Sequence, residues 1–298
     1  RAHCNELREC VGRDDAPVLI DQEGGRVARL KRPHWRKAPP ARLFGDLYAR
    51  DPERGLEAVR LNSRLLAADV ASVGCDVDCL PVLDIAFPET HAVIGDRAYA
   101  DRPEPVAALG RAAAEGLLVE GVMPVIKHIP GHGRATVDSH RSLPKVSAPR
   151  DVLERTDFVP FKLLADLPWA MTGHLLFEAV DPAACITVSA RGVQEVIRDH
   201  IGFDGLLLSD DLSMQALGGS LGERAGRALA AGCDVALHCN GQMNEMTEIA
   251  GQTGPMTGAA GRRFDGGRAF LARHHDPAGR AGLAAAAARL AALMPEWG

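Results

Sequence analysis

Short apolar runs alternate along this chain with longer stretches of helical period. Pro17-Val18-Leu19-Ile20-Asp21 reads as a strand ending in a carboxylate. Val77-Asp78-Cys79-Leu80-Pro81-Val82-Leu83-Asp84 is a second strand, again with Asp at its end. Gly121-Val122-Met123-Pro124-Val125-Ile126 reads as a buried parallel strand that delivers Lys127 and His128. Trp169 to His174, Gly205 to Asp211 and Cys233 to His238 complete the strand pattern, each with a polar end. Between them lie helices. One opens at Asp51-Pro52, an N-cap followed by Pro at the first helical position, and runs to about Ser72. Leu56, Val59, Leu65, Leu66 and Val70 fall on or near one of its faces. Others are predicted from about Pro103 to Glu120, near 150–166, after Ser189 with Val193, Val196, Ile197 and Ile201 on one face, near 221–231 up to Gly232, and from about Ala281 to Met294. Residues 1–15 read as the end of a helix, 32–50 as a Pro- and Arg-rich loop, and 251–267 as a Gly-rich loop.

Alternation of strand and helix predicts a parallel sheet. Charged groups recur at strand ends: Asp21, Asp84, Lys127, His128, His174 and Asp210. Such a recurrence points to a barrel whose active face is the C-terminal rim. The expected fold class is therefore α/β, a TIM-like (β/α)8 barrel, with residues 1–298 as a single domain. An open doubly wound sheet is the competitor. It would need a Gly-rich phosphate fingerprint after the first strand, and Asp21-Gln22-Glu23-Gly24-Gly25 is not one.

Composition narrows the classes without choosing among them. The chain has 298 residues, 46% of them hydrophobic and 24% charged, ordinary for a globular protein with a sizeable core. A net charge of −5 gives no argument for nucleic acid or an anionic membrane surface. No apolar run approaches membrane-spanning length, and no signal-like apolar region stands at the start of the chain as given. The seven cysteines are odd in number, scattered, and never spaced Cys-x-x-Cys. They read as reduced thiols of a cytoplasmic protein, without zinc.

The densest chemistry lies in Lys127-His128-Ile129-Pro130-Gly131-His132-Gly133-Arg134-Ala135-Thr136-Val137-Asp138-Ser139-His140. Pro and Gly break it into a loop. Asp138 and His140 stand two apart, so the carboxylate can reach round to the imidazole and fix its tautomer. A lone His near a strand end is more often structural than catalytic, but three His, a Lys and an Asp on one broken loop are poor core material. After the first strand, Gln22-Glu23-Gly24-Gly25-Arg26 allows a tight turn and close approach to a ligand; the plainer reading is a turn with a solvated Glu and Arg. The candidate acids are Asp21, Asp84, Asp138, Asp210 and Asp211, and the candidate bases Arg29, Arg97, Lys127, His128 and His140. No ligand cluster suits a metal, and no Gly-x-Ser-x-Gly elbow is present. Strand-end carboxylates mixed with Lys, Arg and His suit a polyhydroxylated ligand, a sugar. Glycoside hydrolysis needs one proton donor and one carboxylate across the ring. Asp210 can be that carboxylate and His140 the donor, with Asp138 behind it.

Several segments together resemble glycoside hydrolase family 3: Ile20 to Val27, Pro81 to Asp84, Ile94 to Tyr99, Lys127 to His140, and Gly202 to Met214. Within the family they are similar to the bacterial β-N-acetylglucosaminidases of the NagZ type. The match is clearest over 17–240, in the family's order. The resemblance implies a retaining mechanism through a covalent glycosyl-enzyme. Asp210 matches the nucleophile, His140 the acid/base, and Asp138 its partner; Asp211 matches a position that is not the nucleophile. Asp21, Arg29, Arg97, Lys127 and His128 match positions that bind the N-acetylglucosamine unit. The implied role is removal of terminal β-linked N-acetylglucosamine from muropeptides in cell-wall recycling. It needs neither metal nor cofactor and takes place in a cytoplasmic monomer that engages no nucleic acid or membrane. Family members carry a strand and a helix ahead of the Asp-Gln-Glu-Gly-Gly strand. This chain starts in or after that helix, so the first strand and helix are expected to be missing from it, leaving two unpaired edges. A phosphorylase on the same site and a non-catalytic sugar-binding protein are the alternatives. The second would be expected to lose Asp210 or His140, and both are here.

Overall fold

The computed structural model describes residues 1–139, 142–256, 258–278 and 282–297. In chain order its strands are β1 (Leu19–Ile20), β2 (Val77–Asp78), β3 (Met123–Pro124), β4 (Ile126–Ile129), β5 (Lys145–Val146), β6 (Trp169–Thr172), β7 (Leu176–Phe177), β8 (Leu206–Asp211) and β9 (Val235–Leu237). Every pairing among them is parallel. β1, β2 and β3 form one sheet; β4, β6, β8 and β9 form another, and β5 pairs with β7 apart from both. A parallel bridge between Val82 and Lys127 joins the two larger sheets. Neighbouring strands therefore follow one another in chain order, as in a TIM-like α/β protein, without the reversal of a doubly wound sheet.

The register shows which residues share a face. Val77 lies opposite Met123, Trp169 opposite Leu206, and Leu208 opposite Val235. Residues two apart on a strand point the same way. Val77 and Cys79, Met123 and Val125, Trp169 and Met171, and Leu206 and Leu208 accordingly gather into one buried cluster, the interior of a curved sheet. The alternate positions Ile126, Ala170 and Leu207 face the helices. Phe264 closes the lower end of the interior, its ring 5.7 Å from that of Trp169.

Several expectations need correction. Taking β3 and β4 as one track broken at Val125, six tracks follow one another among the described residues, the six apolar runs of the sequence, and they do not close into a barrel there, since β9 does not pair with β1. These two end strands are half-buried, whereas β2, β4 and β6, each with neighbours on both sides, are buried throughout. Part of the stretch read as a Pro- and Arg-rich loop is the helix Ala41–Arg50, which begins after Pro40 and buries Phe44 and Leu47. The Gly-rich stretch contains the start of the helix Gly258–His274. One of its glycines serves packing: a Cβ on Gly267 would lie 2.2 Å from Trp169 Nε1. The single helix predicted near 150–166 is two, Arg150–Arg155 and Val159–Leu163. Ser189 does cap its helix, accepting from Gly192 N at 2.9 Å, but the turns from Gly192 to His200 are π-wound.

Other predicted signals hold. Asp51 Oδ1 caps Pro52–Ser72 through Arg54 N at 3.2 Å. Gly232, at φ +111°, ends Leu221–Ala231, whose start carries a Ser220–Glu223 capping box.

Candidate active site

The interior rows continue upward into the chemistry. Two residues beyond Leu19, Val125 and Leu208 on the same face stand Asp21, Lys127 and Asp210. They open into a cleft of about 570 Å³, also lined by Glu23, Arg29, Arg97, His128 and His132.

One wall of the cleft is an ion-pair network. Lys127 is 2% exposed and its ammonium lies 2.9 Å from Asp21 Oδ1 and 2.7 Å from Glu23 Oε1. Arg97 grips the same Glu23 with two guanidinium nitrogens, Nε and Nη2, each at 2.8 Å. Arg29 Nη2 reaches the other oxygen of Asp21 at 2.9 Å. Burial opposes the charge of Lys127, but Asp21 and Glu23 outweigh it and its pKa is raised. Burial likewise opposes ionisation of Glu23, yet Lys127 and Arg97 hold its carboxyl below the usual range. Lys127 also lowers the pKa of Asp21. Gln22 shapes the turn that carries these groups. Its side-chain oxygen accepts from Arg29 N at 2.8 Å and Leu30 N at 2.9 Å, and its amide donates to Leu30 O at 3.0 Å. Its backbone N–H donates to Asp78 Oδ1 at 2.9 Å.

The glycine-broken loop after β4 is anchored from below by Asp84. This carboxylate is fully buried; it lies 2.6 Å from His128 Nδ1 and accepts from the backbone of His132 at 2.7 Å. Burial would raise its pKa, but His128 overrides that and the pKa is lowered. The two rings stand edge-on, 5.7 Å apart. His132 is driven down to about 4 by burial, so its ring is neutral at ordinary pH. Gly133 has no room for a side chain, since a Cβ there would lie 2.0 Å from Ile85 O.

The opposite wall is the end of β8. Asp210 is 7% exposed, and its Oδ1 accepts from Asp211 N at 2.8 Å. Among the described residues no cation lies within ion-pair distance of it. Asp211 also lines the cleft and organises its rim. It accepts from Ser213 N at 3.0 Å, Ser213 Oγ at 2.6 Å and Cys239 N at 3.2 Å. His174 is buried beneath and donates from Nε2 to Asp211 O at 3.0 Å. Cys239 lines the cleft.

Six of the predicted site residues, Asp21, Arg29, Arg97, Lys127, His128 and Asp210, therefore line one cleft. Asp138 is half-buried on the loop, and His140 lies outside the described residues. Sequence reading did not place Glu23 among the site residues, its turn being open to a ligand-approach or a plain solvated reading, and it missed the anchoring positions of Asp84, His132 and Ser139. The available signal for Glu23 was electrostatic: a lysine and an arginine predicted at one rim need more than one carboxylate between them. A second cavity of about 390 Å³ opens at the other ends of β6 and β8. Its Arg263 is already committed to Asp204 at 2.9 Å and Asp234 at 3.0 Å. Among the described residues no cluster of three or more His, Cys, Asp or Glu is arranged to hold a metal ion. No helix among them is long and apolar enough to cross a membrane.

A family model for the glycosyl hydrolase family 3 N-terminal domain matches residues 11–257. The β-hexosaminidase of Alkalilimnicola ehrlichii is 40% identical over 227 residues, covering 75% of this chain and 64% of that protein. The β-hexosaminidase of Xanthomonas campestris pv. campestris is 37% identical over 243 residues, covering 79% of this chain and 72% of that protein. The structure of NagZ from Neisseria gonorrhoeae in complex with N-trifluoroacetyl-D-glucosamine superposes with a TM-score of 0.79 at 31% identity. That superposition covers 93% of this chain and 81% of the other. The chain thus spans just under two thirds of the length of the first of these relatives.

Proposed function

Because the chain belongs to the glycosyl hydrolase family 3 N-terminal domain family, we propose that it is the catalytic barrel of a β-N-acetylhexosaminidase, a retaining exo-glycosidase for terminal β-linked N-acetylglucosamine. The observation that carries this reading is the placement of Asp210. It is a buried carboxylate with no paired cation among the described residues, and it faces an ion-paired wall across one sugar-sized cleft. In this reading Asp210 attacks the anomeric carbon, and the leaving oxygen takes a proton from His140, oriented by Asp138. Water, deprotonated by the same histidine, then releases the sugar from Asp210. Asp21, Arg29, Arg97, Lys127 and His128 hold the sugar hydroxyls and acetamido group. The names of the relatives support the hexosamine, and their NagZ-type neighbour was solved with a glucosamine derivative.

The finer assignment follows the same line. The substrate is the N-acetylglucosamine-1,6-anhydro-N-acetylmuramic acid muropeptide of cell-wall recycling, cleaved in the cytoplasm by a monomer without metal or cofactor. The test is turnover of an aryl β-N-acetylglucosaminide beside the matching β-glucoside, with and without phosphate. Preference for the first, independent of phosphate, is expected. Preference for the glucoside would overturn the hexosaminidase reading. Turnover that requires phosphate and yields a sugar phosphate would make the protein a phosphorylase.

A further inference from the structure

The loop that leaves His132 returns to it at one point. Thr136 and Val137 are exposed, but Ser139 is 3% exposed and turned into the cleft wall. Its Oγ lies 3.3 Å from His132 Nε2 and 4.0 Å from Met214 Sδ. The first contact ties the loop to the residues after β4. The second ties it to the turn after Asp210. His132 is itself well fixed, by Asp84 at its backbone and by the His128 ring at its edge. Its Nδ1 is buried and has no hydrogen-bond partner among the described residues, so the ring's directional bond is spent on Ser139.

We infer that the His132–Ser139 contact is a latch that holds the loop at Ser139 against the cleft wall, making His132 and Ser139 positioning residues for the proposed acid/base pair on either side of Ser139 in the chain. Ser139 stands between the proposed acid/base and its partner in the chain. Holding its hydroxyl restricts where both neighbours can go, because consecutive Cα atoms are only about 3.8 Å apart. Through Asp84 the latch shares its anchor with His128, so the proton donor's loop and the proposed sugar-binding wall are referred to one carboxylate. Burial that keeps the His132 ring neutral suits this role, since one ring nitrogen then accepts while the other donates. The positioning role rests on the acid/base reading above; the latch itself does not.

The test is Ser139→Ala, a nearly isosteric change, with His132→Gln, which keeps an amide near the place of Nε2, and the double variant. Two readouts separate the claims. Hydrogen exchange over 134–146 reports the latch without any substrate. It should speed up in Ser139→Ala, and unchanged exchange would mean the contact holds nothing. The kcat/KM values for phenyl and 2,4-dinitrophenyl β-N-acetylglucosaminides report positioning. Misplacing a proton donor should cost about tenfold with phenol, which needs protonation, and at most about threefold with dinitrophenol, which does not. The double variant should be no worse than the poorer single one. Equal losses on both aryl groups, or strictly additive losses, would overturn the positioning role. If the parent protein hydrolyses neither glycoside, the hexosaminidase reading fails and takes the positioning role with it, while the exchange data still decide the latch.

Discussion

The two walls of the cleft handle charge in opposite ways. On the β1–β4 wall every ionised group is matched: Lys127 between Asp21 and Glu23, Arg97 on Glu23, Arg29 on Asp21. On the β8 wall Asp210 has a backbone N–H and, among the described residues, no cation. A matched wall is rigid and presents fixed donors and acceptors, as binding a polyol requires. An unmatched carboxylate keeps its electron pairs for the ligand, as a nucleophile requires. On the proposed function, the difference is one between holding a sugar and reacting with it. Substitutions on the two walls should then fail in different ways.

The largest effect belongs to Asp210→Ala. Turnover should fall by at least about four orders of magnitude while substrate still binds, because the matched wall is untouched. Binding measured by calorimetry alongside kcat checks this, and an active variant would remove the nucleophile assignment. Next is Lys127→Met. It leaves Asp21 and Glu23 short of a counter-ion in a buried place, which costs about 3–5 kcal/mol when one partner of a buried pair is removed. Because Arg29 and Arg97 remain, the lower end is expected, together with a loss in kcat/KM of about 100-fold. Denaturant unfolding and steady-state kinetics on one preparation would show both losses; a variant of parental stability would mean the network is not mutually dependent. Asp211→Ala should be milder, about tenfold in kcat. The loss follows from three missing hydrogen bonds to Ser213 and Cys239 rather than from lost chemistry. If it matched Asp210→Ala in severity with the fold intact, the two aspartates' roles would have to be exchanged.

What was legible in the chain follows the same division. Asp21, Lys127 and Asp210 could be found because each continues an apolar strand, two residues beyond a Leu or Val packed in the interior cluster. Glu23 could not, because its burial depends on how the Gln22 side chain folds the turn under Arg97. Asp84 was recognised as a strand-end acid but not as an anchor, since its partners lie 44 and 48 residues away. Among helices, Ala41–Arg50 was hidden by the prolines before it, although Phe44 and Leu47 carry a helical spacing. Gly258–His274 was hidden by glycines that low helix propensity argues against, of which Trp169 requires Gly267. The π-winding of Gly192–His200 shows in no residue pattern. The parallel strands in chain order, and the six tracks they form among the described residues, were legible from alternation alone, whereas closure was not, because pairing at β1 and β9 is a property of the edges.

A carboxylate beneath the matched wall lies in no ion pair among the described residues, and its effect reads out in stability rather than in turnover. Asp78 is fully buried, and its Oδ2 has no hydrogen-bond partner among the described residues. Burial pushes its pKa up to about 7, so a proton takes the place of a counter-ion. In the unfolded chain the group ionises near pH 3.8. Between these values the native state holds a proton that the unfolded state has released, so this group makes stability fall as pH rises from about 4 to 7. His132 acts in the opposite sense over part of that range. Its native pKa of about 4 lies below the ordinary 6.5, so stability rises with pH there. Glu23 and Asp21, held low, contribute stability above their unfolded values that is lost only in acid. The parent curve alone cannot separate these terms, but subtracting that of Asp78→Asn cancels those the two proteins share. Asparagine keeps the acceptor for Gln22 N and cannot ionise. The variant should match the parent near pH 4 and become more stable than it by roughly 4 kcal/mol at pH 8. Urea unfolding at several pH values measures this, and parallel curves would mean that Asp78 ionises in the fold as it does outside it.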